Sequence, residues 1–188
     1  MIHAMTAVTI RPVHLPDDRA RLLALDRSFT TGQVYQVAGT ARSFALEAVA
    51  VQPALHKDFP LEDDLGEGRT WEQGVVAEQA DERIAGFAAW THRRWNRRTE
   101  LWHLYVAPEA RGSGLGRTLI HVVVTAAQAA GMRCVWLETS TVAYPAIQFY
   151  RRMGFVWCGL DVSLYDPAGV AAQETALYFT RPLLDGGA

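Results

Sequence analysis

The stretch VAPEARGSGLGRTLI (residues 106–120) places three glycines, Gly112, Gly114 and Gly116, at alternate positions directly behind Arg111. Before it, ELWHLYV (100–106) is rich in aromatic and branched side chains, as a strand is. After it, apolar residues recur at helical spacing from Leu115 to Ala130, and Gly131 is a helix stop. A loop between a strand and a helix start turns free N–H groups and the positive end of the helix dipole toward any anion placed there, and glycine lets the anion come close. Two familiar phosphate loops fail on register. The ATPase type requires G-x-x-x-x-G-K-[ST], but Gly112 and Gly116 are one residue too close and Arg117 stands where lysine should; the dinucleotide type requires G-x-G-x-x-G, whose third glycine falls on Arg117.

The surrounding chain reads as an α/β fold. Residues 6–11 alternate as a strand does, Pro and Asp break it, and helical spacing predicts a helix over about 17–29. Residues 33–51 carry β-branched and aromatic side chains about a Gly39-Thr40 break, which favours an extra hairpin. Three strand-like segments follow in quick succession, at 75–79, 84–92 and 100–106, and their short connections make an antiparallel meander. The strand at 133–140 lies beyond the helix, so the strand, loop, helix and strand form a crossover unit with parallel strands. A short helix over about 145–153 starts near Pro145 and stops at Gly154, and two more strands occupy 155–165 and 175–181.

A chain of 188 residues with 49% hydrophobic and 20% charged side chains is long enough for one domain with a substantial core. Its net charge of −2 gives no pull toward nucleic acid or an anionic membrane; the arginines Arg93, Arg94, Arg97 and Arg98 read as a solvated hairpin tip. Cys134 and Cys158 sit in apolar runs and read as small buried hydrophobes, neither a disulfide framework nor a metal site. No stretch is long and apolar enough to span a bilayer, so the expectation is a cytoplasmic protein. Trp71, Trp90, Trp95, Trp102 and Trp136 are expected to crowd the central strands. The acidic run 58–68 reads as a loop, with a cationic ligand as its functional reading.

Arg111, Gly114 and Gly116, set between strand and helix, resemble the [QR]-x-x-G-x-[GA] signature of the GNAT superfamily of acyl-CoA-dependent N-acetyltransferases. Ala146, Phe149, Tyr150, Gly154 and Phe155 match that family's later A-x-x-[FL]-Y-x-x-x-G-F segment, although Ala143 stands where an asparagine is usual. The run LETSTVAYPAIQFYRRMGFVWCGLDVSLYD (137–166), followed by ETALY (174–178), looks like the streptothricin acetyltransferases. Those enzymes carry a Glu-Asp pair where this chain has Trp102 and His103, so the substrate does not carry over directly.

The resemblance implies a GNAT fold over residues 1–188: a central mixed, mostly antiparallel sheet of about seven strands with helices on both faces, its fourth and fifth strands (100–106 and 133–140) parallel and splayed. It implies acetyl-CoA as co-substrate and no metal. The backbone of Leu104, Tyr105 and Val106 would hold the pantetheine arm, with a strand irregularity near Leu104. Arg111, Gly112, Ser113, Gly114, Leu115, Gly116 and Arg117 would hold the pyrophosphate. Tyr150 matches the tyrosine that protonates the leaving thiolate. An alkyl ammonium must lose a proton before it can attack, and Glu138, His103, Glu100 or a water chain could take it. His103 has the right ordinary pKa, whereas Glu138 in an apolar strand needs a partner. The expected acceptor is a small cationic amine, such as a streptothricin-like antibiotic. A protein or peptide amine and a non-catalytic coenzyme A-binding module are the alternatives. No nucleic acid or membrane partner is expected, and the resemblance allows a homodimer.

Overall fold

The computed structural model describes residues 8–40, 42–166, 168–169 and 174–183. In chain order the elements are β1 (Val8–Pro12), α1 (Arg19–Ala24), β2 (Phe29–Thr40), β3 (Ser43–Lys57), a 3₁₀ turn (Asp63–Leu65), β4 (Gln73–Gln79), β5 (Ile84–Arg93), β6 (Arg98–Val106), a 3₁₀ turn (Pro108–Ala110), α2 (Leu115–Ala129), β7 (Cys134–Ser140), α3 (Tyr144–Arg152), β8 (Val156–Asp161) and β9 (Ala176–Pro182). Strands β1-β4-β5-β6-β7-β9-β8 form a seven-stranded sheet in that order, and β2 pairs with β3 alone. The described residues fall into two compact units: one runs to Ser28 and includes Asp58–Val135 and Leu183, and the other comprises Phe29–Lys57 and Trp136–Pro182.

In the first unit, β5 is buried at every residue from Ile84 to Thr91, as a central strand covered on both faces must be. Successive residues point to opposite faces. On one face, a Cβ at Gly86 would come within 3.0 Å of Leu119 and 3.3 Å of Leu115, so this glycine lets α2 lie close against the sheet. On the other, Phe87 packs with Leu22, Leu25, Leu61, Leu65 and Trp71 beneath α1. The helix α2 buries Leu115, Leu119, Ile120, Val123, Val124 and Ala127, a stripe at helical spacing. It ends where Gly131 takes φ +69° and the Met132 N–H reaches the Ala127 carbonyl at 2.9 Å.

The first helix is shorter than the expected 17–29. Arg27 folds back and its Nη1 donates to the carbonyls of Leu22 (3.0 Å), Leu23 (3.3 Å) and Leu25 (2.7 Å), while its Nε donates to Phe59 (2.7 Å). Those helix-end carbonyls are thereby satisfied, and Leu25 turns extended at ψ 121°. Thr6 and Ala7 of the expected first strand lie outside the described residues.

The second unit contains the β2–β3 ribbon, a hairpin that spans more than residues 33–51 and whose last pair, Thr40 with Ser43, directly follows Gly39. It is tied to the turn between β7 and α3, because the Tyr35 N–H donates to the Thr141 carbonyl at 2.9 Å and Gln148 Nε2 donates to the Tyr35 hydroxyl at 2.9 Å. Thr141 also exchanges backbone and side-chain bonds with Thr175, which leads into β9. Two expectations fail here and at the hairpin tip. Cys158 is exposed, since β8 at this edge of the sheet turns it outward, and Trp95 is 85% exposed in the β5–β6 turn rather than packed in the core.

The fully buried Asp18 carboxylate joins β1, α1 and β4. Arg11 donates two bonds of 2.8 Å to it, the His14 N–H donates a third at 2.8 Å, and Arg21 pairs with it as well; Arg11 and Arg21 also hold Glu78. The Arg11 bonds hold the Asp18 carboxyl down to about 2 despite its burial. Because the folded value lies below the unfolded one, this stabilisation is complete above about pH 5 and is lost as pH falls toward 2. Asp18→Ala should cost about 3 kcal/mol in chemical denaturation at pH 7, with the deficit shrinking in acid.

Candidate active site

The glycine loop leaves β6 at Val106, makes the 3₁₀ turn and enters α2 with Gly112 at φ +80° and Gly114 at φ +95°. Both positions face open space, so what selects glycine there is the left-handed backbone and not crowding. Gly114 caps α2 without a side-chain hydrogen bond, and the first intrahelical bond is Thr118 N–H to the Gly114 carbonyl at 3.1 Å. The N–H groups of Gly116 and Arg117 therefore precede any helical carbonyl that could receive them. Ser113 bonds back to the Ala110 carbonyl through its hydroxyl at 2.7 Å. The Arg111 guanidinium is spent on the scaffold, donating to the carbonyls of Val106 (3.0 Å) and Ser28 (2.6 Å). What the loop offers an anion is backbone N–H groups on a helix dipole, a cradle that a diphosphate fits.

The strand irregularity lies at Trp102, two residues before Leu104. Ala89 pairs with His103 but Trp90 pairs with Leu101, which leaves Trp102 as a bulge residue, 42% exposed. Beyond the bulge, the Ala107 N–H donates to the Ala85 carbonyl. By the antiparallel alternation, Tyr105 also directs its backbone groups toward β5, whereas Leu104 and Val106 direct theirs away. Of these groups, the Val106 carbonyl is taken by Arg111 Nε.

Next to them, His103 is buried between Phe87 and Tyr105, with ring centroids 5.8 and 5.7 Å away. Neither ring nitrogen has a hydrogen-bond partner among the described residues, and Nε2 stands 3.8 Å from Asp64 Oδ2. Burial pushes its pKa down to about 4, with Asp64 opposing and Arg27 adding, so the imidazole is neutral at pH 7. Glu100 is a structural carboxylate: burial raises its pKa, but Arg93 and Arg98, which bond it at 2.8 Å and at 2.7 and 3.0 Å, bring it below the ordinary glutamate value.

In the second unit, Glu138 is half-buried on β7 and accepts a hydrogen bond from the Tyr165 hydroxyl. Burial raises its pKa and Glu174 adds to the rise, while the Tyr165 bond and Lys57 oppose it. Lys57 in turn is ion-paired with Glu174, whose side chain is 2% exposed. Tyr150 sits on α3 in edge-type ring contacts with Phe149 and Phe155, at 5.6 and 5.7 Å. Ala143, where the asparagine was expected, is buried at the start of α3. No local motif marks Tyr165, Lys57 and Glu174 as partners of Glu138; Lys57 and Glu174 are 117 positions apart.

The sequence profile of the Acetyltransferase (GNAT) family matches residues 36–155. The chain belongs to the GNAT acetyltransferase family. It is 42% identical over 178 residues to a streptothricin acetyltransferase of Streptomyces lavendulae, covering 89% of this chain and 91% of the relative. It is 26% identical over 165 residues to a streptothricin acetyltransferase of Escherichia coli, covering 88% and 91%. The crystal structure of nourseothricin acetyltransferase superposes with a TM-score of 0.84 at 41% identity, covering 95% of this chain and all of that one. A Bacillus anthracis protein crystallised with acetyl coenzyme A shares the fold at a TM-score of 0.76 and 23% identity, over 94% of this chain and 99% of that one.

As a GNAT acetyltransferase, the protein uses acetyl-CoA as acyl donor. Among the described residues no group of three or more His, Cys, Asp or Glu is disposed to hold a metal, and no helix is long and apolar enough to cross a membrane. Gly114→Ala places a Cβ at φ +95°, which costs about 1–2 kcal/mol in the loop conformation. The expected outcome is an acetyl-CoA Kd weakened roughly tenfold by calorimetry, while an Ala substitution at the adjacent Ser113 changes it little.

Proposed function

We propose that this protein acetylates a primary amine of a small cationic acceptor, a streptothricin-type antibiotic, by direct attack within a ternary complex. The observation that carries the mechanism is Glu138: half-buried, its carboxylate is hydrogen-bonded by a neutral phenol, and its proton affinity is raised toward the range useful to a base. The acceptor class rests on likeness to the streptothricin acetyltransferase of S. lavendulae and to nourseothricin acetyltransferase, each above 40% identity over most of this chain. Asp64, half-exposed on the acidic turn near His103, supports a cationic ligand. We read residues 1–188 as one acetyltransferase domain, because the family match takes residues from both compact units.

Acetyl-CoA supplies the acetyl group as a thioester. The N–H groups of Gly112, Gly114, Gly116 and Arg117 hold its pyrophosphate, Leu115 and Ser113 complete the loop, and Arg111 braces it. Leu104 and Val106 hold the pantetheine arm through backbone groups and orient the carbonyl, whose developing charge a backbone N–H stabilises. Glu138 takes a proton from the acceptor ammonium. The free amine then forms the C–N bond as the C–S bond breaks, Tyr150 gives its hydroxyl proton to the departing sulfur, and the second proton shed by the acylated nitrogen returns through solvent to restore the phenol. His103, neutral and stacked on Tyr105, shapes the strand and is the weaker base of the two, because its lowered pKa leaves it little affinity for a proton at pH 7.

Thiol release with streptothricin, lysine esters and a lysine peptide as acceptors tests the reading. Turnover should be highest on the antibiotic; no turnover on any polycationic small molecule would contradict the acceptor class. Glu138→Gln should lower kcat about 100-fold or more, and Tyr150→Phe should lower kcat with acetyl-CoA affinity intact. Because the folded Glu138 pKa is raised, activity should fall on acidification at a pH above the ordinary glutamate range.

A further inference from the structure

Four side chains from separate segments converge around Glu138. Tyr165, after β8, donates its hydroxyl to Oε1; Glu174, before β9, is buried nearby; Lys57, the last residue of β3, pairs with Glu174; and Tyr178 comes from β9. Ser140, two residues along β7, bonds to Tyr165. The Glu174 side chain is 2% exposed, and a carboxylate that deep requires a partner, which Lys57 supplies. Burial and the Glu138 carboxylate keep Tyr165 a phenol, hence a permanent donor. The β2–β3 ribbon thus delivers a charge to the site as well as packing against α3.

We propose that Tyr165, Lys57 and Glu174 are positioning residues for acetyl transfer, Tyr165 fixing the direction of the Glu138 carboxylate and the Lys57–Glu174 pair setting how tightly Glu138 holds its proton. The proposal rests on the reading of Glu138 as base. Glu174 alone opposes ionisation of Glu138 and Lys57 favours it, so removing one or the other moves the carboxyl in opposite directions. A purely structural pair has no such signature.

The test follows the Glu138 carboxyl by ¹³C NMR in glutamate-labelled protein, assigned through Glu138→Gln, alongside kcat/KM against pH. Glu174→Gln should move the carboxyl titration and the acid limb of the profile to lower pH. Lys57→Met should move both to higher pH, and Lys57→Arg should restore them. Tyr165→Phe should raise the titration and lower kcat roughly tenfold with acetyl-CoA KM unchanged. If Lys57→Met unfolds the chain, Lys57→Met with Glu174→Gln removes the pair as a unit and should titrate between the single variants. An unmoved carboxyl titration in folded variants overturns the proposal. Carboxyl shifts as expected with an unmoved acid limb would overturn the assignment of Glu138 as base and leave the coupling of the carboxylates standing.

Discussion

An α-helix leaves its first N–H groups without carbonyl partners, and in this protein that deficit falls at the end of the sheet's central antiparallel strands. Gly112 and Gly114, both with positive φ, turn the chain sharply between β6 and α2, so that a glycine caps the helix. Much of the first unit serves this geometry. Gly86 and the small residues around it on β5 let α2 press against the sheet, the glycine stop at Gly131 fixes its other end, and Arg111 pins the loop to the carbonyls of Val106 and Ser28. What this loop can offer an anion comes from the backbone, which is why a side-chain inventory alone understates it.

A second theme is the pairing of carboxylates. Asp18 and Glu100 are each answered by two arginines, and both titrate below their ordinary values. Glu174 has Lys57. Glu138 receives a phenol, and with burial and a neighbouring carboxylate its proton is held more tightly. Carboxylates are thus shifted in opposite directions in this protein, down where arginines answer them and up where burial and a second carboxylate prevail.

The local grammar of residues 106–120 was legible because strand, glycine loop and helix follow one another with no distant contribution, and the meander and the helix ending at Gly154 were legible for the same reason. Elements that depend on remote partners were not. The early end of α1 requires Arg27 to fold back onto its carbonyls, and the bulge at Trp102 requires the register with β5. The burial of His103, which lowers its basicity and leaves its ring nitrogens without a hydrogen-bond partner among the described residues, also comes only from packing. The partners of Glu138 come from β3 and from the segments flanking β8 and β9, and no spacing rule links them.

The central claim is that backbone amides of the glycine loop hold the donor. Amide ¹H–¹⁵N spectra of the protein titrated with coenzyme A test it directly. The account predicts the largest downfield shifts at Gly112, Gly114, Gly116 and Arg117, where N–H groups gain anionic partners. Binding that leaves these four amides in place while shifting others would contradict it.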